Sequence, residues 1–174
     1  MSDITYCALN EPFNIANRVE AFGTMWAKVS GTLPTDEEEK KDFEDTVVVK
    51  TAPQLLALKR ENTGNTFVLG ERNKEFVVGT HYRAASTMSP IQKMSVLMFY
   101  CMDDYAKDGL GDRLLEFLLN IGMNTFSGKP VEFSVKAVTK RKGIPTFFKR
   151  HGFELDLSAT VDTRPSWYTK TIEF

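Results

Sequence analysis

The sequence predicts an α/β fold in which helices pack on a mixed β-sheet. An apolar segment, Val96–Cys101, continues through glycines into a segment of helical periodicity, Leu110–Ile121. In two segments, 66–71 and 75–84, apolar residues alternate with smaller or polar ones, and a short polar turn lies between them, as in a β-hairpin. A further alternating segment, 130–137, follows the helix. Strands and helices that alternate in this way form layered α/β structures.

Length and composition narrow the class of protein. The chain has 174 residues, which suits one domain spanning 1–174. Its net charge of −1 argues against a nucleic-acid partner. Two cysteines give no disulfide framework, and the sequence has neither a signal peptide nor an apolar run of membrane-spanning length. We therefore expect a cytoplasmic protein with no membrane contact and no metal site.

The first third of the chain predicts one strand and three helices. In residues 3–9 the side chains that suit a buried face recur at every second position, as they do in a strand. Pro12 suits the first turn of a helix that continues to Val29. Thr35 is a good N-cap for a second helix. A third helix is expected at 53–60.

Seven carboxylates lie between Asp36 and Asp45. A run of this kind is typical of a solvated helix face. It also suits an electrostatic funnel for a cationic acceptor such as a polyamine. Both interpretations stay open.

The hairpin is expected to turn at 72–74, and a loop at 85–92 to lead into the central strand. The continuous apolar character of Val96–Cys101 predicts a strand covered on both faces. In the following helix, one apolar stripe should face the sheet. It comprises Leu110, Leu114, Phe117, Leu118 and Ile121.

After strand 130–137 the sequence predicts a basic helix and two final strands, at 153–161 and 167–174. His151, at the end of that helix, is expected on the surface. The predicted order, in which the helix at 53–60 is not counted, is β-α-α-β-β-β-α-β-α-β-β.

The turn before the central helix predicts an anion site. Gly109 and Gly111 let a ligand approach the backbone closely, because a β-carbon would obstruct it. The first N–H groups of a helix lack intrahelical partners and lie at the positive end of its dipole. Phosphate binds well to such groups.

Two motifs together resemble the GCN5-related N-acetyltransferase (GNAT) family. The turn, Ala106 to Gly111, is similar to the family's [QR]-x-x-G-x-[GA] signature. The segment Pro145 to Glu154 is similar to the family's A-x-x-[LF]-Y-E-x-x-G-F-E helix. The predicted order of elements is also that of the GNAT fold.

The resemblance implies an acetyl-CoA-dependent N-acetyltransferase that acts on an amine of a small molecule or protein, with a homodimer possible. The backbone of Phe99 and Cys101 would pair with the pantetheine arm of the cofactor. The residues expected to bind the rest of CoA are Lys107, Asp108, Gly109, Leu110, Gly111, Asp112, Arg113, Arg141 and Phe148. Lys140, Arg141, Lys142, Lys149 and Arg150 form a basic cluster that suits either CoA phosphates or a solvated helix.

The catalytic groups are less clearly indicated. GNAT enzymes often use a glutamate on the central strand as the base, and this strand has none. The candidates are His81, Tyr100, and Asp103 or Asp104 at the end of the strand. Histidine has the most suitable ordinary pKa. A structural role for His81 stays open.

Three positions depart from the family pattern. The usual Gln or Arg of the signature is Ala106, an asparagine is replaced by Arg141, and the tyrosine that protonates the leaving thiolate is replaced by Phe148. Either Tyr168 or water supplies that proton, or the chain is a degenerate GNAT-fold protein, such as a phage-encoded one, used for binding or assembly.

Overall fold

The computed structural model of the chain describes residues 4–8, 65–101, 108–137, 143–158 and 166–173. These residues form seven strands and two helices. The strands are β1 (Thr5–Ala8), β2 (Asn65–Arg72), β3 (Glu75–Ala85), β4 (Gln92–Cys101), β5 (Val131–Ala137), β6 (Glu154–Leu155) and β7 (Ser166–Ile172). The helices are α1 (Leu110–Thr125) and α2 (Ile144–Arg150). The helices expected between residues 12 and 60 lie outside the described residues.

All seven strands belong to one mixed sheet in the order β1-β2-β3-β4-β5-β7-β6. Neighbouring strands are antiparallel except β4 and β5, which are parallel. A parallel pair needs a crossover connection, and α1 provides it. The predicted α/β class, with its mixed sheet flanked by helices, is confirmed.

Helix α1 lies against the centre of the sheet through the predicted stripe. Leu110, Leu114 and Leu118 are fully buried, while Phe117 and Ile121 are half-buried against the same core. The helix approaches β5 closely because position 122 is glycine. A β-carbon there would lie 2.5 Å from the Phe133 ring.

A β-bulge interrupts β4 at Leu97. His81 on β3 pairs with Met98, and the next residue, Tyr82, pairs with Val96, so Leu97 has no opposite residue on β3. Directly opposite residues share a face of a sheet. Val96 and Phe99 consequently face α1, whereas Met98 and Tyr100 are buried on the other face. The expectation of a strand covered on both faces is met, but through a bulge rather than a straight strand.

Some boundaries differ from those predicted. Strand β4 begins at Gln92, whose buried side chain accepts from the Thr87 N–H (3.0 Å) and donates to the Ser89 carbonyl (3.0 Å). Strand β6 ends at Leu155, earlier than expected, because the Asp156 carboxylate accepts from both the backbone N–H and the hydroxyl of Ser158. This local turn ends the strand.

Candidate functional site

The pairing of β4 with β5 stops before either strand ends. Their pairing runs from Gln92 opposite Val131 to Val96 opposite Val135 and goes no further. The bulge at Leu97 lies at the point where pairing ends, and a bulge bends the strand that contains it. Within the described residues, Leu97–Cys101 therefore presents a strand edge toward β5 that no other strand covers.

The N-terminus of α1 lies at the same edge of the sheet. Gly109 is its N-cap residue, with a left-handed φ of 69°, and no side chain caps the helix. Glycine adopts this conformation without strain. The first intrahelical bond runs from the Arg113 N–H to the Gly109 carbonyl at 3.1 Å. The N–H groups of Leu110, Gly111 and Asp112 precede that bond, so they are available to an anion.

At Gly111 the first turn of α1 packs against α2 and the end of β4. A β-carbon at position 111 would lie 3.3 Å from Phe147 Cε2 and 3.9 Å from Cys101 Sγ. The absence of a side chain thus allows the first turn of α1 to pack beside the Phe147 ring. On the opposite side, Asp108 Oδ2 accepts a charged hydrogen bond from Arg72 at 3.1 Å, which ties the turn to the β2–β3 hairpin.

Asp112 links α1 to the end of α2. Its Oδ1 atom accepts from the Arg150 guanidinium at 2.6 Å and lies 2.7 Å from His151 Nε2. Partial burial raises the pKa of Asp112, but the bonds from His151 and Arg150 outweigh it and hold the pKa below its ordinary value. His151, expected on the surface, is partly buried: its side chain is 27% exposed, because it packs between Asp112 and Phe147.

Phe148 lies at the centre of an aromatic cluster between β4 and β7. It is buried, its ring centroid lies 5.8 Å from that of Phe99, and it stacks on Tyr168 at 4.9 Å. Tyr168 is opposite Val135, the last residue of β5 that pairs with β4. Burial raises the pKa of the Tyr168 phenol, so it keeps its proton at neutral pH.

His81 and Tyr100 lie on the other face of the sheet. Their partners across β3 and β4 are Met98 and Gly79, and all of these face away from α1. His81 is buried against the Phe67 ring, with centroids 4.2 Å apart. Burial lowers the pKa of His81 to about 4, so the imidazole is neutral at pH 7.

The structure thus brings together Phe99, Cys101, Asp108 to Arg113 and Phe148 around one edge of the sheet. Asp103, Asp104, Lys107 and Arg141 lie outside the described residues. Sequence reasoning gave no role to the contact between Asp112 and His151. These residues are 39 positions apart, so no periodicity or motif could pair them.

The arrangement suits an extended ligand with an anionic end. An uncovered strand edge can hydrogen-bond a chain that carries amide groups, as strand addition does. The uncapped N-terminus of α1 can bind a phosphate at the end of that chain. None of the helices in the described ranges is long and apolar enough to cross a membrane.

Comparison with solved structures identifies the fold. An acetyltransferase of the GNAT family from Staphylococcus aureus Mu50 matches 98% of this chain and 100% of its own, at 13% identity and a TM-score of 0.60. The PaiA N-acetyltransferase of Thermoplasma acidophilum, solved with coenzyme A, matches 98% and 99% of the two chains, at 14% identity and a TM-score of 0.62. This chain has the GNAT fold.

A third solved structure that matches is a plant protein. Arabidopsis thaliana Naa50, in complex with the bisubstrate analogue CoA-Ac-MVNAL, matches 98% of this chain and 99% of its own, at 12% identity and a TM-score of 0.58. No family model and no curated protein sequence matches the chain. The likeness is one of structure, at a sequence identity too low to transfer an activity.

Proposed function

We propose that this GNAT-fold protein is an acetyl-CoA-dependent acyltransferase that moves an acetyl group directly to a primary amine. One observation carries the proposal: beyond Val96 no described strand pairs with β4 on its β5 side, and this part of β4 leads to the N-terminus of α1, where Gly109 provides no capping side chain. Acetyl-CoA has the matching shape, because its pantetheine arm carries amides and ends at a pyrophosphate. The complexes of PaiA with coenzyme A and of Naa50 with a CoA analogue support this choice of donor.

In the proposed complex, the backbone of Phe99 and Cys101 pairs with the pantetheine amides. The N–H groups between Gly109 and Arg113 bind the pyrophosphate, with bonds of about 1.5–3 kcal/mol each because the acceptor is charged. The Arg113 side chain adds positive charge at the half-buried end of α1. Lys107 and Arg141 are proposed to contribute further cationic contacts.

The reaction needs a neutral amine. The amine nitrogen attacks the thioester carbon, the carbon–sulfur bond breaks, the amine loses a proton and the CoA thiolate gains one. An alkylamine of pKa about 10.4 is neutral in only about one molecule in a few thousand at pH 7. His81 is neutral and able to accept that proton, but its low pKa makes it a weak base. Tyr100 and Asp103 are the other proposed groups.

Tyr168 is the proposed acid for the leaving thiolate. Phe148 has no proton to donate, whereas Tyr168 lies against its ring and remains protonated at neutral pH. Its position opposite Val135 places it level with the point where β4 and β5 stop pairing. The acceptor is proposed to be a small-molecule amine or a protein amine; the peptide portion of the Naa50 ligand supports including peptides.

The donor site is tested by calorimetric titration of acetyl-CoA into the wild type, Gly111→Glu and Asn124→Glu. Both variants add one carboxylate to α1, but only position 111 lies in its first turn. We expect micromolar binding to the wild type and to Asn124→Glu, and a loss of about 100-fold or more in Gly111→Glu, because the new charge and bulk occupy the anion site. Equal binding by all three proteins would contradict the assigned site.

The acid is tested with Tyr168→Phe, which keeps the stacked ring and removes only the hydroxyl. We expect kcat to fall by about 10²-fold, a typical contribution of general acid catalysis, with little change in the KM for acetyl-CoA. The measurement is steady-state turnover with the best amine from a screen of polyamines, antibiotics and peptides. An unchanged kcat would assign the proton transfer to water.

The buried Phe148 favours a second candidate function, in which the fold is kept for binding or assembly without catalysis. A protein of that kind shows no turnover with any amine in the screen. Failure to bind acetyl-CoA at millimolar concentration would favour it further, and the search would then turn to protein partners.

A further inference from the structure

A buried threonine lies on the face of the sheet that packs against α1. Thr80 on β3 is fully buried, and its neighbours across the sheet, Val68 on β2 and Phe99 on β4, both pack against the α1 side of the core. Directly opposite residues share a face, so Thr80 faces α1 as well. Valine would fill this position with carbon alone, whereas a buried hydroxyl is unfavourable unless it is hydrogen-bonded. The Thr80 hydroxyl therefore needs a defined partner.

That partner is a backbone carbonyl next to the β4 bulge. Thr80 Oγ1 donates to the Met98 carbonyl oxygen at 2.9 Å. Met98 directly follows Leu97, the additional residue of the bulge. A bulge disrupts the regular ladder of backbone hydrogen bonds. The Thr80 side chain thus supplies β4 with a fixed donor at the place where the regular pattern is interrupted.

The bond from Thr80 also bears on the direction of the next backbone N–H group. The peptide bonds of the described residues are trans, and in a trans peptide a carbonyl and the following N–H point in opposite directions. Because the Met98 carbonyl points toward Thr80 on β3, the Phe99 N–H points to the other side of β4. On that side, no described strand pairs with β4 beyond Val96.

The first half of β4 shows that the bulge changes which residues point this way. The Gln92 N–H donates to the Pro130 carbonyl at 2.9 Å, directly before β5. Alternate residues of a strand direct their backbone groups to the same side, so the even-numbered Val96 also points toward β5. After the additional residue, the odd-numbered Phe99 takes this direction. A straight strand would present Met98 instead.

We propose that Thr80 is a positioning residue for the acyl donor: its hydroxyl holds the Met98–Phe99 peptide so that the Phe99 N–H is directed at the bound donor. The inference rests on the proposed function, in which the backbone of Phe99 pairs with a pantetheine amide. Thr80 acts through this peptide and is separate from the groups proposed to contact the donor. Without the hydroxyl, the peptide loses a donor that fixes its orientation, and the bond from Phe99 to the ligand weakens.

The first measurement is the Kd for acetyl-CoA, by calorimetry, in the wild type and three variants. Thr80→Val keeps the shape of the side chain and removes the hydroxyl; we expect about three- to tenfold weaker binding, the factor that one hydrogen bond contributes. Thr80→Ser keeps the hydroxyl and should bind within about twofold of the wild type. Thr66→Val is the matched control, because it removes a hydroxyl that bonds Tyr82 from β2, one strand further from β4. It should leave the Kd unchanged.

The second measurement separates positioning from a general loss of stability. At saturating acetyl-CoA, amide hydrogen exchange at Phe99 should be slowed by the ligand in the wild type, in Thr80→Ser and in Thr66→Val. In Thr80→Val the slowing should be smaller by about threefold or more, because a misdirected N–H bonds the ligand less well. Melting temperatures verify that each variant is folded. If Thr80→Val does not fold, Thr80→Ala replaces it in both measurements, since it removes the hydroxyl without placing a methyl group against the carbonyl.

The outcomes are distinct. A wild type that does not bind acetyl-CoA would overturn both the proposed function and this inference. If the wild type binds, equal affinity and equal protection of Phe99 in Thr80→Val would overturn the inference alone. So would binding by Thr80→Ser or Thr66→Val as weak as that of Thr80→Val, since the loss would then not belong to this hydroxyl. Weaker binding with wild-type protection of Phe99 would mean that Thr80 acts elsewhere, and would also overturn it.

Discussion

Asp112 shows how much one side chain depends on its partners. A carboxylate in the first turn of a helix is favourable for the helix by itself, because of the dipole. In this protein it also forms the contact between α1 and α2 through Arg150 and His151. The same group thus contributes to stability and lies beside the proposed ligand site.

The stability contribution of Asp112 should depend on pH. Its pKa in the folded protein is lowered, although partial burial alone would raise it, because His151 and Arg150 stabilise the carboxylate. A lowered folded pKa adds stability that is complete above the unfolded value of about 4 and is lost as pH falls through the folded value. We expect Asp112→Asn to lower the melting temperature slightly at pH 6 and to match the wild type near pH 2.

Thermal melts of both proteins between pH 2 and pH 7 provide the measurement. A difference that stays constant across this range would mean that the carboxylate is not stabilised by its partners. Solvent screens the ion pairs of Asp112, whose side chain is 43% exposed, so the difference at pH 6 should be small.

Phe148 is the residue that departs most from the GNAT sequence pattern, because it stands where a tyrosine is usual. The structure gives this side chain a packing role, because its ring is buried between Phe99 and Tyr168. A hydroxyl in a site of this kind needs a hydrogen-bond partner or destabilises the fold. The position has become part of the aromatic core.

Helix α1 packs so closely on the sheet that position 122 has no room for a side chain. Alanine is a better helix former than glycine by about 0.5–1 kcal/mol, so Gly122→Ala would stabilise an isolated helix. In the protein the new carbon would lie 2.5 Å from two atoms of the buried Phe133 ring and 2.9 Å from Met94 Sδ. Overpacking of a core costs about 1–3 kcal/mol, which outweighs the helix propensity.

We therefore expect Gly122→Ala to lower the free energy of unfolding by about 1–2 kcal/mol, measured by urea denaturation. Asn124→Ala is the control, because it lies in the same helix at an exposed position. It should be neutral or slightly stabilising. A stabilised Gly122→Ala would mean that α1 can move away from β5 at little cost.

The β2–β3 hairpin and α1 were predictable from the sequence because their signals are local. Alternation on both sides of a polar turn indicated the hairpin, and the structure places the turn at Asn73-Lys74, both with positive φ. The bulge at Leu97 was not predictable. Met98 and Tyr100 continue the even-numbered apolar pattern of Met94 and Val96, although they face the opposite side.

At the scale of the whole molecule, the sheet consists of two parts. The first part is β1 to β4 and the second is β5, β7 and β6. Within the described residues, the strand pairs that join them are the five from Gln92–Val131 to Val96–Val135. Beyond those pairs, no described residue of β4 pairs with β5. The proposed donor would bind along this side of β4 and connect the two parts through further hydrogen bonds.

That connection should be visible in amide hydrogen exchange. On addition of acetyl-CoA, we expect exchange in peptides covering Phe99–Cys101 to slow by about tenfold or more, because opening then requires release of the ligand. Peptides covering Val131–Val135, which already pair with β4 and β7, should change much less. Unchanged exchange at Phe99–Cys101 with bound ligand would mean that the ligand does not pair with β4.

The turn and helix N-terminus that form the proposed phosphate site were predictable, since the glycines and the following helix are adjacent in the sequence. The point where β4 and β5 stop pairing and the cluster of Asp112, Arg150 and His151 were not, because both depend on the register of strands distant in the chain. Local patterns determine which elements form. The contacts between distant elements determine where a ligand-binding site can form.

The bulge at Leu97 affects how β4 would respond to the insertion or deletion of one residue during evolution. Because Leu97 is an additional residue opposite β3, its deletion leaves every other side chain of β4 on its present face. The straightened strand could then continue its pairing along β5. Deletion of this one codon would thus extend the pairing into the proposed donor site without changing any residue of the core.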